Sequence, residues 1–340
     1  MLEPSAPRPT PLPTTTTPAA TPSATPVRTA APTAAPTATP TAAPSPVSSV
    51  SEFALPGAGS RPEGIAGGPD GALWVTEHAT NKIGRFTTGG SYSEYAVPTA
   101  DSEPLAIADG PDGALWFTEE IGNNIARITT AGSVTEYAIP FADSYPFGIV
   151  AGSDGALWFT EEGIGYIGRV TTSGSFSAYQ IPTSNSEPNA IAAGNDGALW
   201  FTEVTGNKIG RITTAGSITE YPVPTANSYP WGIAAGPDGA LWFAENNGDK
   251  IGRITTAGSI TEYAVPTASS APLFVAAGSD GALWFTEEQG DKIGRITTAG
   301  SITEYAIPTV GSEPFGITSG PDGALWFAEF MGNNVGRIHP

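Results

Sequence analysis

A chain of 340 residues with 33 acidic against 14 basic side chains carries a formal charge of −19, which disfavours nucleic acid and anionic membrane as partners. It has no cysteine, so a disulfide framework and thiolate metal sites are excluded. No apolar run is long enough to span a bilayer.

Residues 1–50 are mostly Pro, Thr, Ala and Ser, and their only charges are Glu3, Arg8 and Arg28. With so little to bury, this segment is expected to stay extended and disordered. Its composition reads as a stalk or linker of the O-glycosylated type, which places the protein outside the cell or on its surface. Met1-Leu2-Glu3-Pro4 lacks the basic start and apolar core of a signal peptide, so removal of the original start is expected.

From Ser51 to Pro340 one word recurs around Trp74, Trp116, Trp158, Trp200, Trp242, Trp284 and Trp326, at a constant step of 42 residues. A fixed period of this size means a repeat architecture. The fourth unit reads as four short strands. Ala190–Ala193 is small and apolar, suited to a crowded centre. Asn195-Asp196-Gly197 is a hairpin turn. Ala198–Glu203 and Lys208–Thr213 follow as the second and third strands. Ile218–Val223 alternates as an outer strand, where Pro222 is tolerable near a sheet edge.

Seven such units predict an all-β, seven-bladed β-propeller over residues 51–340. The final unit stops after its third strand. An orphan outer strand stands at the other end, Ser51-Glu52-Phe53-Ala54-Leu55-Pro56. The two ends are expected to pair and close the last blade, which removes an exposed edge. An open solenoid is the competing architecture, and it would carry distinct capping repeats.

Residues present in every unit are expected to hold blades together. The Arg eleven residues after each Trp lies on the adjacent strand and is expected to stack on the indole. The Glu three residues after each Trp has two readings: pairing with Arg or Lys in the ring, or facing one mouth to hold a hard cation. Function is expected where the units differ. The residue after the Pro that opens each inner strand is Glu63, Leu105, Phe147, Asn189, Trp231, Leu273 and Phe315. These seven are the candidate ligand-binding residues, lining an apolar and aromatic channel mouth for a small-molecule, glycan or protein ligand. The alternative is that they merely plug the tunnel. A monomer is expected.

The words Gly-x-Asp-Gly-Ala-Leu-Trp-Phe-Thr-Glu, Asn-Lys-Ile-Gly-Arg-Ile-Thr and Thr-Glu-Tyr-x-x-Pro resemble the streptogramin B lyase family, also called virginiamycin B lyase, across all seven repeats. The resemblance implies a seven-bladed propeller that opens a cyclic depsipeptide antibiotic by elimination, with magnesium and a histidine base. The family's Glu-Pro-His-Gly-Ile reads Glu313-Pro314-Phe315-Gly316-Ile317 here. By that resemblance Glu313 and Glu329 match the metal-linked carboxylates, Phe315 stands at the base, and Leu273 replaces a second histidine. His78 and His339 are the only histidines, and neither matches the motif. The resulting expectation is a binding module without the family's base. The alternative is a magnesium-dependent lyase using another base such as Glu63.

Overall fold

A computed structural model describes residues 49–340, so the expected stalk lies almost wholly outside the described residues. Seven four-stranded antiparallel sheets stand around an axis, with each inner strand next to the inner strands of both neighbouring blades. Blade 4 comprises Pro188–Ala193, Leu199–Glu203, Lys208–Ile212 and Ile218–Pro222, close to the strands read from sequence. Pro222 does end an outer strand. Among the described residues the only helical turn is His78–Thr80.

Blade 7 takes its outer strand from the start of the folded region. Ser51–Ala54 pairs antiparallel with Asn334–Ile338, placing Phe53 opposite Val335. Asn333 adds side-chain bonds to the same segment: its Nδ2 donates to Gly57 O at 2.8 Å, and its Oδ1 accepts from Ser60 N at 2.7 Å. The ring is therefore closed by strand pairing and by a half-buried amide.

Every repeat Trp is fully buried and wedged into the next blade. Trp74 packs with Ile107, Leu115 and Phe117 of blade 2, and Trp326 of blade 7 packs with Ile65, Leu73 and Phe86 of blade 1. Six of the seven indoles also stack on the outer-strand Tyr of their own blade, as in Trp200–Tyr221 at 5.6 Å between centroids. Phe53 takes that place against Trp326 at 5.5 Å, so the closing strand supplies a ring as well as backbone bonds.

The Arg–indole contact expected from sequence is present in six blades, with guanidinium-to-centroid distances such as 5.7 Å for Arg211 over Trp200. What spacing alone did not reveal is the turn Asp that organises it. Asp196 Oδ1 accepts from Trp200 Nε1 at 3.2 Å, and its Oδ2 accepts from Arg211 Nε at 2.7 Å. Burial alone would raise the Asp196 carboxyl, but the bonds from Arg211 and Trp200 outweigh it and hold it below its ordinary value. The Asp-Gly pair thus makes the hairpin and also satisfies the one polar atom of the buried indole.

Between blades, a second-strand Thr reaches the next inner strand, as in Thr76 Oγ1 donating to Leu105 O at 2.7 Å. The inner strands approach closely. A Cβ on Gly64 would lie 2.3 Å from Leu105 O, and one on Gly316 would lie 2.4 Å from Glu63 O, so glycine is required at both seams.

Asp196→Ala should strand an indole N–H and a guanidinium, costing about 1–3 kcal/mol in denaturant unfolding. Phe53→Ala should cost about 2 kcal/mol through lost burial at the closing strand. A chain insensitive to both would contradict this account of what holds the blades.

Candidate functional site

One mouth of the channel is built from a backbone device repeated seven times. The residue before the Pro that opens each inner strand is left-handed in every blade, with φ from 46° at Tyr145 to 54° at Glu103. Such a conformation costs a non-glycine residue roughly 1–2 kcal/mol. It is held by a hydrogen bond to its carbonyl from the N–H of the residue that follows the repeat Glu. Examples are His78 N to Arg61 O at 3.2 Å, Glu120 N to Glu103 O at 3.1 Å, and Phe330 N to Glu313 O at 3.1 Å.

The two variable positions of this device meet across seams. Arg61 of blade 1 lies over the Phe330 ring of blade 7, 5.3 Å from its centroid. His78 of blade 1 faces Glu103 of blade 2, with Nε2 3.4 Å from Oε2. Glu288 of blade 6 has Glu313 of blade 7 as its charged neighbour. The backbone is uniform and the side-chain pairs change from seam to seam.

Inside this ring sits the set that sequence singled out. Glu63, Leu105, Phe147 and Phe315 line an axial cavity of ≈ 200 Å³, joined by Phe274. Asn189 and Leu273 are almost fully buried, and neither they nor Trp231 are among its lining residues. Trp231 is half-buried and meets Phe147 edge-on, with centroids 6.1 Å apart. Its Nε1 and the Oδ1 of Asn189 are buried without hydrogen-bond partners among the described residues. Phe315 packs between Phe274 at 5.0 Å and Phe330 at 6.2 Å. The outer flank carries Tyr145 and Tyr229, both exposed.

The mouth has an acidic side as well. Burial raises the Glu63 carboxyl to about 8, helped by Glu120 and Glu103 and opposed by Arg61. Burial likewise raises Glu162 to about 7, with Glu120 and Glu187 adding to it. Burial lowers His78, against the pull of Glu103.

The Glu that follows each Trp does neither thing expected of it. Glu203 stands opposite Lys208 in the ladder, yet Lys208 Nζ bonds Glu220 at 3.1 Å, and both Glu203 oxygens lack hydrogen-bond partners. These glutamates are sealed within their blades. Glu329 follows the pattern: it is fully buried and accepts from Asn334 Nδ2 at 3.0 Å, with Glu52 and Asp291 as charged neighbours. Glu313 is half-buried in the mouth. Of the two residues that the resemblance links to magnesium, only Glu313 therefore offers a carboxylate to an ion arriving through the mouth.

Phe274, Phe330, His78, Glu120 and Arg61 belong to the site and were not singled out as site residues from sequence. The same signal marks Arg61, His78, Glu120 and Phe330, since the positions before the Pro and after the repeat Glu also vary from unit to unit, while Phe274 stands two residues after its Pro, where every other unit has Gly or Ala.

Burial raises Glu203, Glu245 and Glu287 to about 8. The folded state then holds protons that the unfolded state releases near 4.5, so stability present below that pH falls as pH rises toward 8. The turn aspartates, held below their ordinary value, act in the opposite sense below about pH 4. Thermal unfolding is expected to show a maximum near pH 4–5 and a lower midpoint at pH 8; a midpoint that rises from pH 5 to 8 would contradict the buried, unpaired state of these glutamates.

Comparison with known proteins bears on this site. The family model described as "Virginiamycin B lyase family" matches residues 45–209 and 177–340. A solved streptogramin B lyase is 43% identical, over 85% of this chain and 97% of its own, with a TM-score of 0.83. Virginiamycin B lyase from Staphylococcus aureus is 42% identical, over 86% of this chain and 99% of its own, with a TM-score of 0.82. A catalytically inactive His-to-Ala variant of that enzyme, solved with quinupristin, is equally similar. The extracellular domain of a putative two-component system from B. thetaiotaomicron, 16% identical over 86% of this chain and 43% of its own with a TM-score of 0.68, shares the fold alone. No curated protein matches the sequence.

Proposed function

The chain belongs to the virginiamycin B lyase family, and from that premise we propose that it is a propeller that binds a ligand at its channel mouth without the family's turnover. The observation that carries this reading is the aromatic mouth: Phe147 against Trp231, Phe315 between Phe274 and Phe330, and a buried indole N–H with no partner. An apolar ligand bearing a hydrogen-bond acceptor suits such a surface. A His-to-Ala change leaves the S. aureus relative catalytically inactive in a structure that holds quinupristin. Here Phe315 and Leu273 stand at the positions that the resemblance gives to histidines, and neither side chain accepts a proton. A positioned base contributes roughly 10²–10⁴-fold to such a reaction. The Pro- and Thr-rich residues 1–50 support an exported or surface-attached protein.

The lyase reading is favoured by one observation, the identity of 43% over nearly the whole relative together with Glu313 at the family's carboxylate position. Incubation with quinupristin and magnesium, followed by chromatography of the cyclic species, separates the two. Turnover above a protein-free control would establish the lyase; its absence is expected.

Seven of the eight tryptophans are fully buried between blades, which leaves Trp231 to report on the mouth. Quinupristin is expected to change Trp231 fluorescence saturably, and Trp231→Ala and Phe147→Ala should each weaken binding about tenfold or more by calorimetry. No saturable binding, or binding unchanged in both variants, would remove the proposed site for this ligand.

A further inference from the structure

We propose that the acidic side of the mouth holds a divalent transition-metal ion, such as zinc, between His78 of blade 1 and Glu103 and Glu120 of blade 2. The proposal stands apart from the ligand reading above and from the blade 7 carboxylates. Its first support is geometric. His78 Nε2 lies 3.4 Å from Glu103 Oε2 and 3.9 Å from Glu120 Oε2, and the three donor atoms all fall within 4.8 Å of one another. Donors bound at about 2.0–2.2 Å in a tetrahedral shell lie roughly 3.3–3.6 Å apart, so a small inward movement of Glu120 completes three sides of such a shell.

The second support is independent of the cluster. Glu63 is 6% exposed, and its Oε1 points at His78 Nδ1 from 3.5 Å. Neither group forms a hydrogen bond among the described residues, and Nδ1 is a buried polar atom left without a partner. For Nε2 to bind a cation, the imidazole proton must sit on Nδ1, where it would donate to Glu63. A buried carboxylate behind a metal-binding histidine serves to fix the tautomer and the ring orientation. Glu63 is the only acid at its position in the seven blades, and His78 the only histidine at its own; the two exceptions fall together at one seam.

The donors are preorganised. The N–H groups of His78 and Glu120 are tied to the carbonyls of Arg61 and Glu103, so the side chains leave from fixed backbone. One imidazole nitrogen with two carboxylate oxygens favours zinc or a similar ion over magnesium or calcium, which take all-oxygen shells. Arg61 is the cation nearest this cluster, and it stacks on Phe330, while the carboxyl groups of Glu63, Glu103 and Glu120 surround the imidazole. The fourth position of the ion would open toward the mouth, where a ligand donor could complete it.

The test is zinc titration of the metal-stripped full chain by calorimetry, with thermal unfolding as a check on folding. One equivalent is expected to bind. His78→Ala and Glu103→Gln should weaken it at least tenfold, and Glu63→Gln, which touches no metal, by roughly 10–100-fold. Glu313→Gln should leave affinity within about threefold. Anomalous diffraction at the zinc edge should place the ion between blades 1 and 2. No saturable binding to the wild-type chain, unchanged affinity in a folded His78→Ala variant, or a loss confined to Glu313→Gln would overturn the proposal. Quinupristin binding through Trp231 is read separately, so either proposal can fail alone.

Discussion

The structure depends on a buried indole driven into the neighbouring blade and tethered at its only polar atom. Each repeat Trp fills a seam, and the turn Asp takes its N–H while drawing the Arg across its face. The stacked outer Tyr covers the other side. Because nearly the same set of groups recurs at each seam, no single blade carries the fold. The seventh seam could be completed only by borrowing a ring, and Phe53 supplies it from the start of the folded region.

This division leaves the mouth free to vary. The left-handed residue before each inner strand is secured by a backbone bond that needs no particular side chain, so Arg, Glu, Tyr and Ala all occupy equivalent places. Arg61, Glu103 and Glu313 there meet side chains of the preceding blade, so that these seams become separate small sites. One seam brings an imidazole between two carboxylates, another lays a guanidinium on a phenyl ring. Across the axis, the residues after the Pro supply aromatic surface, partly closing the tunnel and partly open to a ligand. The same seven residues differ in exposure: Asn189 and Leu273 are buried away, whereas Trp231 and Phe315 keep open faces.

Much of this was legible in the sequence, because a word repeated at a fixed step announces its own boundaries. The blade count, the strand order and the pairing of Ser51–Ala54 with the last three strands all follow from where the repeat starts and stops. The variable mouth residues stood out against near-identical surroundings. The partner of Glu203 did not. Ladder register sets it opposite Lys208, but a long ammonium side chain chooses among several oxygens, and it chose Glu220 and Thr183. The meeting of His78 with Glu103 was equally hidden. It depends on the rotation between blades, which a one-dimensional repeat does not specify.

The separation of scaffold from mouth is tested most directly by equalising the mouth. Blade 6 already carries alanine at its left-handed position, Ala271. Replacing Arg61, Glu103, Tyr145, Glu187, Tyr229 and Glu313 together with alanine would extend that state to every blade. The measurement is the free energy of unfolding in denaturant. This account expects a cooperative transition and a combined loss smaller than the roughly 3–5 kcal/mol of one buried Trp→Ala change. A larger loss, or a transition broken into stages, would show that the mouth residues hold the ring together and would contradict it.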